Sequence, residues 1–206
     1  MLKTIDINTW SRKQLYDHFT KFQDPYFGVT IPFDVTKAYK KSKTNNYSFF
    51  GVYLHACMVA INNVEQLKYR ILEDQVVCYD TINASATILK EDKTLGFSFI
   101  DYNENLEFFL NNLELEKQRI QTTGELYPPK NGLDCIHCSA LPWVNFTGHK
   151  EPVSGNKESV PKLAFGKAVK VNDSLQINVA ISANHALVDG YHIGLFSELF
   201  QKQLNK

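Results

Sequence analysis

The sequence predicts an α+β fold: a two-layer sandwich in which helices cover a largely antiparallel, mixed sheet. Three observations lead there. Short segments with apolar residues at every second position are interspersed with segments of helical spacing. The two kinds do not alternate strictly along the chain, which points to the α+β class. Near the C-terminus, Asn172-Asp173 joins two strand-like runs as a two-residue hairpin turn, so that part of the sheet is antiparallel.

Taken in order, Asp6-Ile7-Asn8-Thr9 offers N-capping side chains to a first helix over Trp10 to Phe19, stopped by Pro25. Phe27 to Val35 alternates as a strand, and Thr36 to Lys43 reads as a short basic helix. Ser48 to Val64 is apolar nearly all round, which makes it a central helix. Short strands are expected at 69–71, 75–79, 85–89 and 94–99, then a long polar-faced helix from Asn103 to Thr123 and a proline-rich turn over 127–132. Strands return at 135–140, 162–171 and 175–182. In the last of these Leu175, Ile177, Val179 and Ile181 share one face and leave Gln176, Asn178, Ala180 and Ser182 on the other. The closing helix, Tyr191 to Leu204, packs through Ile193, Phe196, Leu199 and Phe200. The stretch 146–160, rich in Gly, Ser, Lys and Glu, is expected to be an insertion or mobile segment.

At 206 residues the chain is long enough to bury a substantial core, as one domain spanning residues 1–206. Its 22 basic and 22 acidic residues cancel. That balance gives no electrostatic footprint for nucleic acid and no basic arm for a membrane surface. Met1-Leu2-Lys3-Thr4-Ile5-Asp6 runs straight into charged and polar residues, and no apolar run reaches transmembrane length, so a cytoplasmic protein is expected. Cys57, Cys78, Cys135 and Cys138 are then expected as reduced thiols. Cys135-Ile136-His137-Cys138 has the spacing of half a zinc site, but a second pair is missing, and strand residues three apart point to opposite faces. These cysteines read as core residues.

The segment richest in chemistry is Asn184-His185-Ala186-Leu187-Val188-Asp189-Gly190, between the last strand and the closing helix. It sets one imidazole at the end of rigid structure, a carboxylate four residues on, and a glycine to turn the chain. With an unperturbed pKa of about 6.5, such a histidine can serve as a general base near neutral pH, which points to acyl transfer to a hydroxyl. Two other readings fit the same spacing. His185 can be a hydrogen-bonded core residue, and His185, Asp189 and His192 fall at the i, i+4 and i+7 positions of a metal-binding helical face. Gly190 weakens any helix that would align those three, so no metal site is expected.

Three separated segments carry a resemblance. They are Trp10-Ser11-Arg12-Lys13, then Ser139-Ala140-Leu141-Pro142-Trp143-Val144-Asn145-Phe146, then His185-Ala186-Leu187-Val188-Asp189-Gly190-Tyr191-His192. Together, in this order and at these separations, they resemble signature segments of the type A chloramphenicol acetyltransferases, from about Ile5 to Leu204. The resemblance implies that family's fold and an acetyl-CoA-dependent O-acetyltransferase acting on chloramphenicol. It implies a homotrimer with active sites at subunit interfaces, and direct transfer in a ternary complex. It also implies roles for four residues. His185 is the base, Ser139 donates a hydrogen bond to the oxyanion beside the coenzyme, and Arg12 pairs with Asp189 to hold the turn that carries His185.

Substrate-binding candidates are Phe19, Thr87, Trp143 and Phe146, of which Trp143 and Phe146 read as core and pocket wall. Lys167 reads either as a partner for a coenzyme phosphate or as a solvated surface lysine. The chain departs from the family pattern at four places. Asn184 replaces the first of two adjacent histidines, Ala164 a threonine that organises water near the intermediate, Ala168 a tyrosine near the coenzyme, and Phe19 a tyrosine that bonds the antibiotic. These departures touch acceptor recognition more than transfer. They leave open another small alcohol or amine as acceptor, or a trimeric binding protein without turnover.

Overall fold

The alternating segments assemble into a seven-stranded sheet and a smaller three-stranded one, in a computed structural model that describes residues 2–153 and 158–206. The 146–160 stretch expected as an insertion therefore lies partly outside the described residues. The chain runs β1 (Leu2–Thr4), α1 (Lys13–Phe19), β2 (Tyr26–Asp34), α2 (Thr36–Thr44), α3 (Phe49–Asn62), β3 (Tyr69–Leu72), β4 (Gln75–Tyr79), β5 (Asn83–Leu89) and β6 (Leu95–Phe97). Then come α4 (Leu106–Thr122), β7 (Cys135–Ala140), β8 (Lys162–Phe165), β9 (Val169–Val171), β10 (Ser174–Asn184) and α5 (Gly190–Leu204). In the large sheet the order is β2-β10-β8-β7-β5-β6, with β9 also paired to β10. The β5–β7 and β7–β8 pairs are parallel and the others antiparallel, so the sheet is mixed as expected. The small sheet is β1-β4-β3.

Period-two alternation gives the large sheet two unlike faces. On one, Ala84 and Ala86 of β5, Ile136 and Cys138 of β7, Leu163 and Phe165 of β8, and Ile177, Val179 and Ile181 of β10 enter a common core with the helices. The central helix is α3, capped by Ser48 Oγ accepting from Gly51 N and buried on nearly every side. It packs against α2, α4 and α5. The last helix lays Ile193, Phe196, Phe200 and Leu204 on the same core. Each large apolar side chain buried there contributes about 1.5–3 kcal/mol against chain entropy.

The opposite face is small and polar. Ser85 and Thr87 of β5, His137 and Ser139 of β7, Lys162 and Ala164 of β8, and Ala180 and Ser182 of β10 lie on it in register. Cys135 and Cys138 do point to opposite faces: Cys138 joins the main core, while Cys135 packs with Phe99 and Val160. Both are free thiols.

Several expectations change. The first helix starts at Lys13 rather than Trp10, whose indole instead packs edge-on against Tyr69 at 5.5 Å. The strand expected over 162–171 breaks at Gly166, where the backbone N–H turns to the Asn178 carbonyl at 2.8 Å, and β9 resumes only at Val169. Gly190 is not a turning residue. It is the first residue of α5, with open space where a Cβ would lie and no left-handed φ. Among the described residues no helix is long and apolar enough to cross a membrane.

Gly51 marks the closest approach of α3 to α4, since a Cβ there would come within 2.3 Å of Leu110 Cδ2 and 3.1 Å of Leu113 Cδ2. Gly51→Ala is therefore expected to lower unfolding stability by about 1–3 kcal/mol despite alanine's higher helix propensity. Urea titration of the two proteins checks this.

Candidate active site

The turn after β10 is built by hydrogen bonds that leave His185 little freedom. Asn184, the buried last residue of the strand, accepts from Ala186 N through Oδ1 at 2.9 Å and donates from Nδ2 to the Glu158 carbonyl at 2.9 Å. Its own carbonyl accepts from Leu187 and Val188 N, each at 3.0 Å, which curls the chain back. His185 N donates to the Pro25 carbonyl at 2.9 Å. The ring lies flat on Phe19, with centroids 4.1 Å apart and planes 8° from parallel, and meets Phe27 at 4.5 Å.

The decisive contact is His185 Nδ1 to the Val188 carbonyl at 3.1 Å. A carbonyl only accepts, so Nδ1 carries a proton, and Nε2 is the nitrogen whose lone pair a neutral ring presents. Among the described residues Nε2 takes no hydrogen bond.

Asp189 ends the turn and starts α5 as its N-cap, accepting from Tyr191 N at 3.1 Å. His192 completes a reciprocal cap, its Nδ1 accepting from Asp189 N at 3.1 Å. That role suits a neutral ring, and burial lowers the His192 pKa, outweighing the Asp189 charge. Arg12 spans the turn: Nη1 meets Asp189 Oδ2 at 2.6 Å and Nη2 donates to the His185 carbonyl at 3.3 Å. Burial would raise the Asp189 carboxyl, but the Arg12 hydrogen bond and charge, with the Tyr191 N–H, hold it below its usual value.

Ser139 sits elsewhere, on the floor of a groove of about 830 Å³ over the polar sheet face. Thr87 lies beside it, since Ala86 pairs with Cys138 and the next residue of each strand turns to the same face. One row back, Ser85, His137 and Lys162 run side by side across three strands. Sequence reasoning missed His137 and Lys162. The usable signal was the period-two alternation Cys135, His137, Ser139, which puts the imidazole on the serine's face.

Within one chain His185 and Ser139 are far apart. Ser139 pairs with Ala164 and Ala164 with Ala180, so His185 lies two strands across and five residues along, roughly 19 Å away. Other predicted residues are scattered too. Phe19 packs on the His185 ring and not in the groove. Phe146 is buried against Ala164 and Ala180, but Trp143 is 68% exposed and belongs to neither core nor groove of its own chain, because the loop after β7 turns it outward. Lys167 follows β8 rather than lying in a strand. Its side chain is exposed and its backbone N donates to the Val144 carbonyl at 2.8 Å. Among the described residues no three His, Cys, Asp or Glu side chains are grouped to hold a metal ion.

A sequence model described as "CAT: Chloramphenicol acetyltransferase" matches residues 1–201. The chain belongs to the chloramphenicol acetyltransferase family. Relatives named chloramphenicol acetyltransferase include one from Proteus mirabilis, 24% identical over 96% of this chain and 92% of its own length. Another, from Staphylococcus aureus, is 26% identical over 98% and 95%. A solved chloramphenicol acetyltransferase superposes with a TM-score of 0.85 at 29% identity, covering 99% of this chain and all of that one. A probable dihydrolipoamide acetyltransferase from Listeria monocytogenes shares the fold, with a TM-score of 0.69 at 17% identity over 98% of this chain and 94% of its own.

Asn is as good an N-cap as Asp, so Asp189→Asn removes the ion pair and spares the cap. The substitution is expected to cost about 2 kcal/mol at pH 7. The Asp189 carboxyl is depressed in the fold, so this contribution is present above the unfolded carboxyl value, near 3.8, and is lost as pH falls through the lower folded value. Denaturation of both proteins from pH 7 to pH 3 should therefore show the gap closing at the acid end.

Proposed function

We propose that this chain is an acetyl-CoA-dependent O-acetyltransferase of type A, acting directly on a small hydroxylated acceptor, with chloramphenicol the first acceptor to test. The observation that carries the reading is the His185 Nδ1 hydrogen bond to the Val188 carbonyl, which puts a proton on Nδ1 and leaves Nε2 as the nitrogen open to a substrate proton. The names of the relatives support the acyl group and the acceptor.

His185 Nε2 takes the hydroxyl proton as the acceptor oxygen attacks the thioester carbonyl. The Ser139 hydroxyl donates to the oxygen that becomes negative, a contact of the kind whose loss costs about 3 kcal/mol of barrier. As the carbon–sulfur bond breaks, the imidazolium returns its proton to the leaving thiolate, giving free coenzyme A and the acetyl ester. Arg12 and Asp189 position the turn and touch no substrate. The protein works as one domain over 1–206 in the cytoplasm, with no nucleic acid or membrane partner.

Because roughly 19 Å separates His185 from Ser139 in one chain, this chemistry needs a second copy. The assembly proposed is a homotrimeric ring in which His185 of each subunit faces the Ser139 groove of the next. A closed heterologous ring gives each subunit both roles. Phe19 and Trp143, remote from the groove of their own chain, would reach the acceptor across that interface. Lys167 is proposed to meet a coenzyme phosphate.

Thiol release from acetyl-CoA with chloramphenicol is the test. His185→Ala is expected to cut turnover by about 10²–10⁴-fold, and Ser139→Ala to cut kcat by about 10²–10³-fold with little change in acceptor binding. Activity retained in His185→Ala would refute the assignment. Co-expressing the two variants tests the shared site, because an interface of each mixed ring regains both native side chains. Activity well above either variant alone is expected, and none if the site lies within one chain.

A further inference from the structure

The groove floor holds chemistry that acyl transfer itself does not use. The row Ser85, His137, Lys162 runs one step behind Thr87 and Ser139, two residues back along each strand and so roughly 7 Å from the serine. Lys162 is committed: its ammonium meets Glu158 Oε1 at 2.7 Å, bonds the Pro152 carbonyl and lies 5.6 Å over the Tyr26 ring. The side chains of Lys162 and Glu158 are only 7% and 14% exposed, so separating them would strand a buried charge. His137 is the opposite case. Its backbone N donates to the Pro161 carbonyl, but its imidazole takes no hydrogen bond among the described residues.

We propose that His137 is a specificity-determining residue, recognising on the acyl acceptor a second polar, uncharged group roughly 7 Å from the reacting hydroxyl. The inference rests on the acyl-transfer reading above. The distance is that of the strand register: an acceptor with its hydroxyl beside Ser139 and its body along β7 brings its far end over His137. The preferred charge follows from the neighbours. Desolvation and the Lys162 ammonium both lower the His137 pKa, so near pH 7 the ring is neutral and offers one donor and one acceptor nitrogen, a match for an amide or hydroxyl. An ionised group would have to part that buried pair, a carboxylate by drawing off Lys162 and an ammonium by drawing off Glu158. Phe97 and Tyr127, with ring centroids 5.4 Å apart, give the walls an apolar surface for the body between the two polar ends.

The test measures thiol release with aryl alkyl alcohols matched in length, whose far end carries hydrogen, an amide, an amine or a carboxylate. The wild-type protein is expected to turn over the amide about tenfold better in kcat/KM than the plain alcohol, the worth of one hydrogen bond made in the groove. The amine and the carboxylate are expected to be the poorest. His137→Leu should erase the preference through KM while leaving kcat on the plain alcohol unchanged, and His137→Asn, which keeps a donor and an acceptor, should restore part of it. A wild-type protein that does not discriminate, or a preference that survives His137→Leu, overturns the inference alone. No release from any alcohol or from chloramphenicol overturns the acyl-transfer reading, and this inference with it.

Discussion

The hydrogen bond from His185 Nδ1 to the Val188 carbonyl is the constraint on which the site depends. It settles the tautomer, and thereby which nitrogen can accept a proton. The bond exists because the chain reverses within four residues: Asn184 closes the turn from one side and Asp189 caps α5 from the other. Arg12 ties the two ends together by binding the His185 carbonyl and the Asp189 carboxylate at once. Phe19 and Phe27 then hold the ring against rotation. Few of these contacts touch Nε2, yet each limits where it can point, the preorganisation that the proposed role as a base needs.

The sheet supplies the second half of the account. A strictly alternating sheet with one buried face leaves the other free to carry polar residues at fixed spacing, and here that face places Ser139, Thr87, Ser85, His137 and Lys162 on a small grid. The same grid keeps His185 away from Ser139, because His185 sits at the far end of a neighbouring part of the sheet. On the proposed reading the two halves of the site therefore come from different copies. In such a ring subunit dissociation would cost activity without any unfolding.

Much of this was legible in the sequence where a local pattern decides the outcome. The apolar run of α3, the hairpin at Asn172-Asp173 and the alternating face of β10 follow from periods of 3.6 and 2, and all three stand. Arg12 and Asp189 emerge as a contact from a resemblance between segments far apart in the chain. What local pattern does not carry was missed or misread. β1 has three exposed residues, too few to show a period. The break at Gly166 comes from a tertiary bond to Asn178, and Trp143 is turned outward by a loop whose course no period encodes. His137 was left without a role, between cysteines read as core residues, until the strand register set it beside Ser85 and Lys162.

The most direct measurement of the central claim is a crystal structure with coenzyme A and an acceptor bound. The account predicts the coenzyme sulfur and the acceptor hydroxyl lodged between His185 Nε2 of one subunit and Ser139 Oγ of its neighbour, with the hydroxyl within hydrogen-bonding distance of Nε2. A sulfur bound beside Ser139 with no His185 from any subunit in reach, or a His185 whose Nε2 rather than Nδ1 meets the Val188 carbonyl, would contradict it.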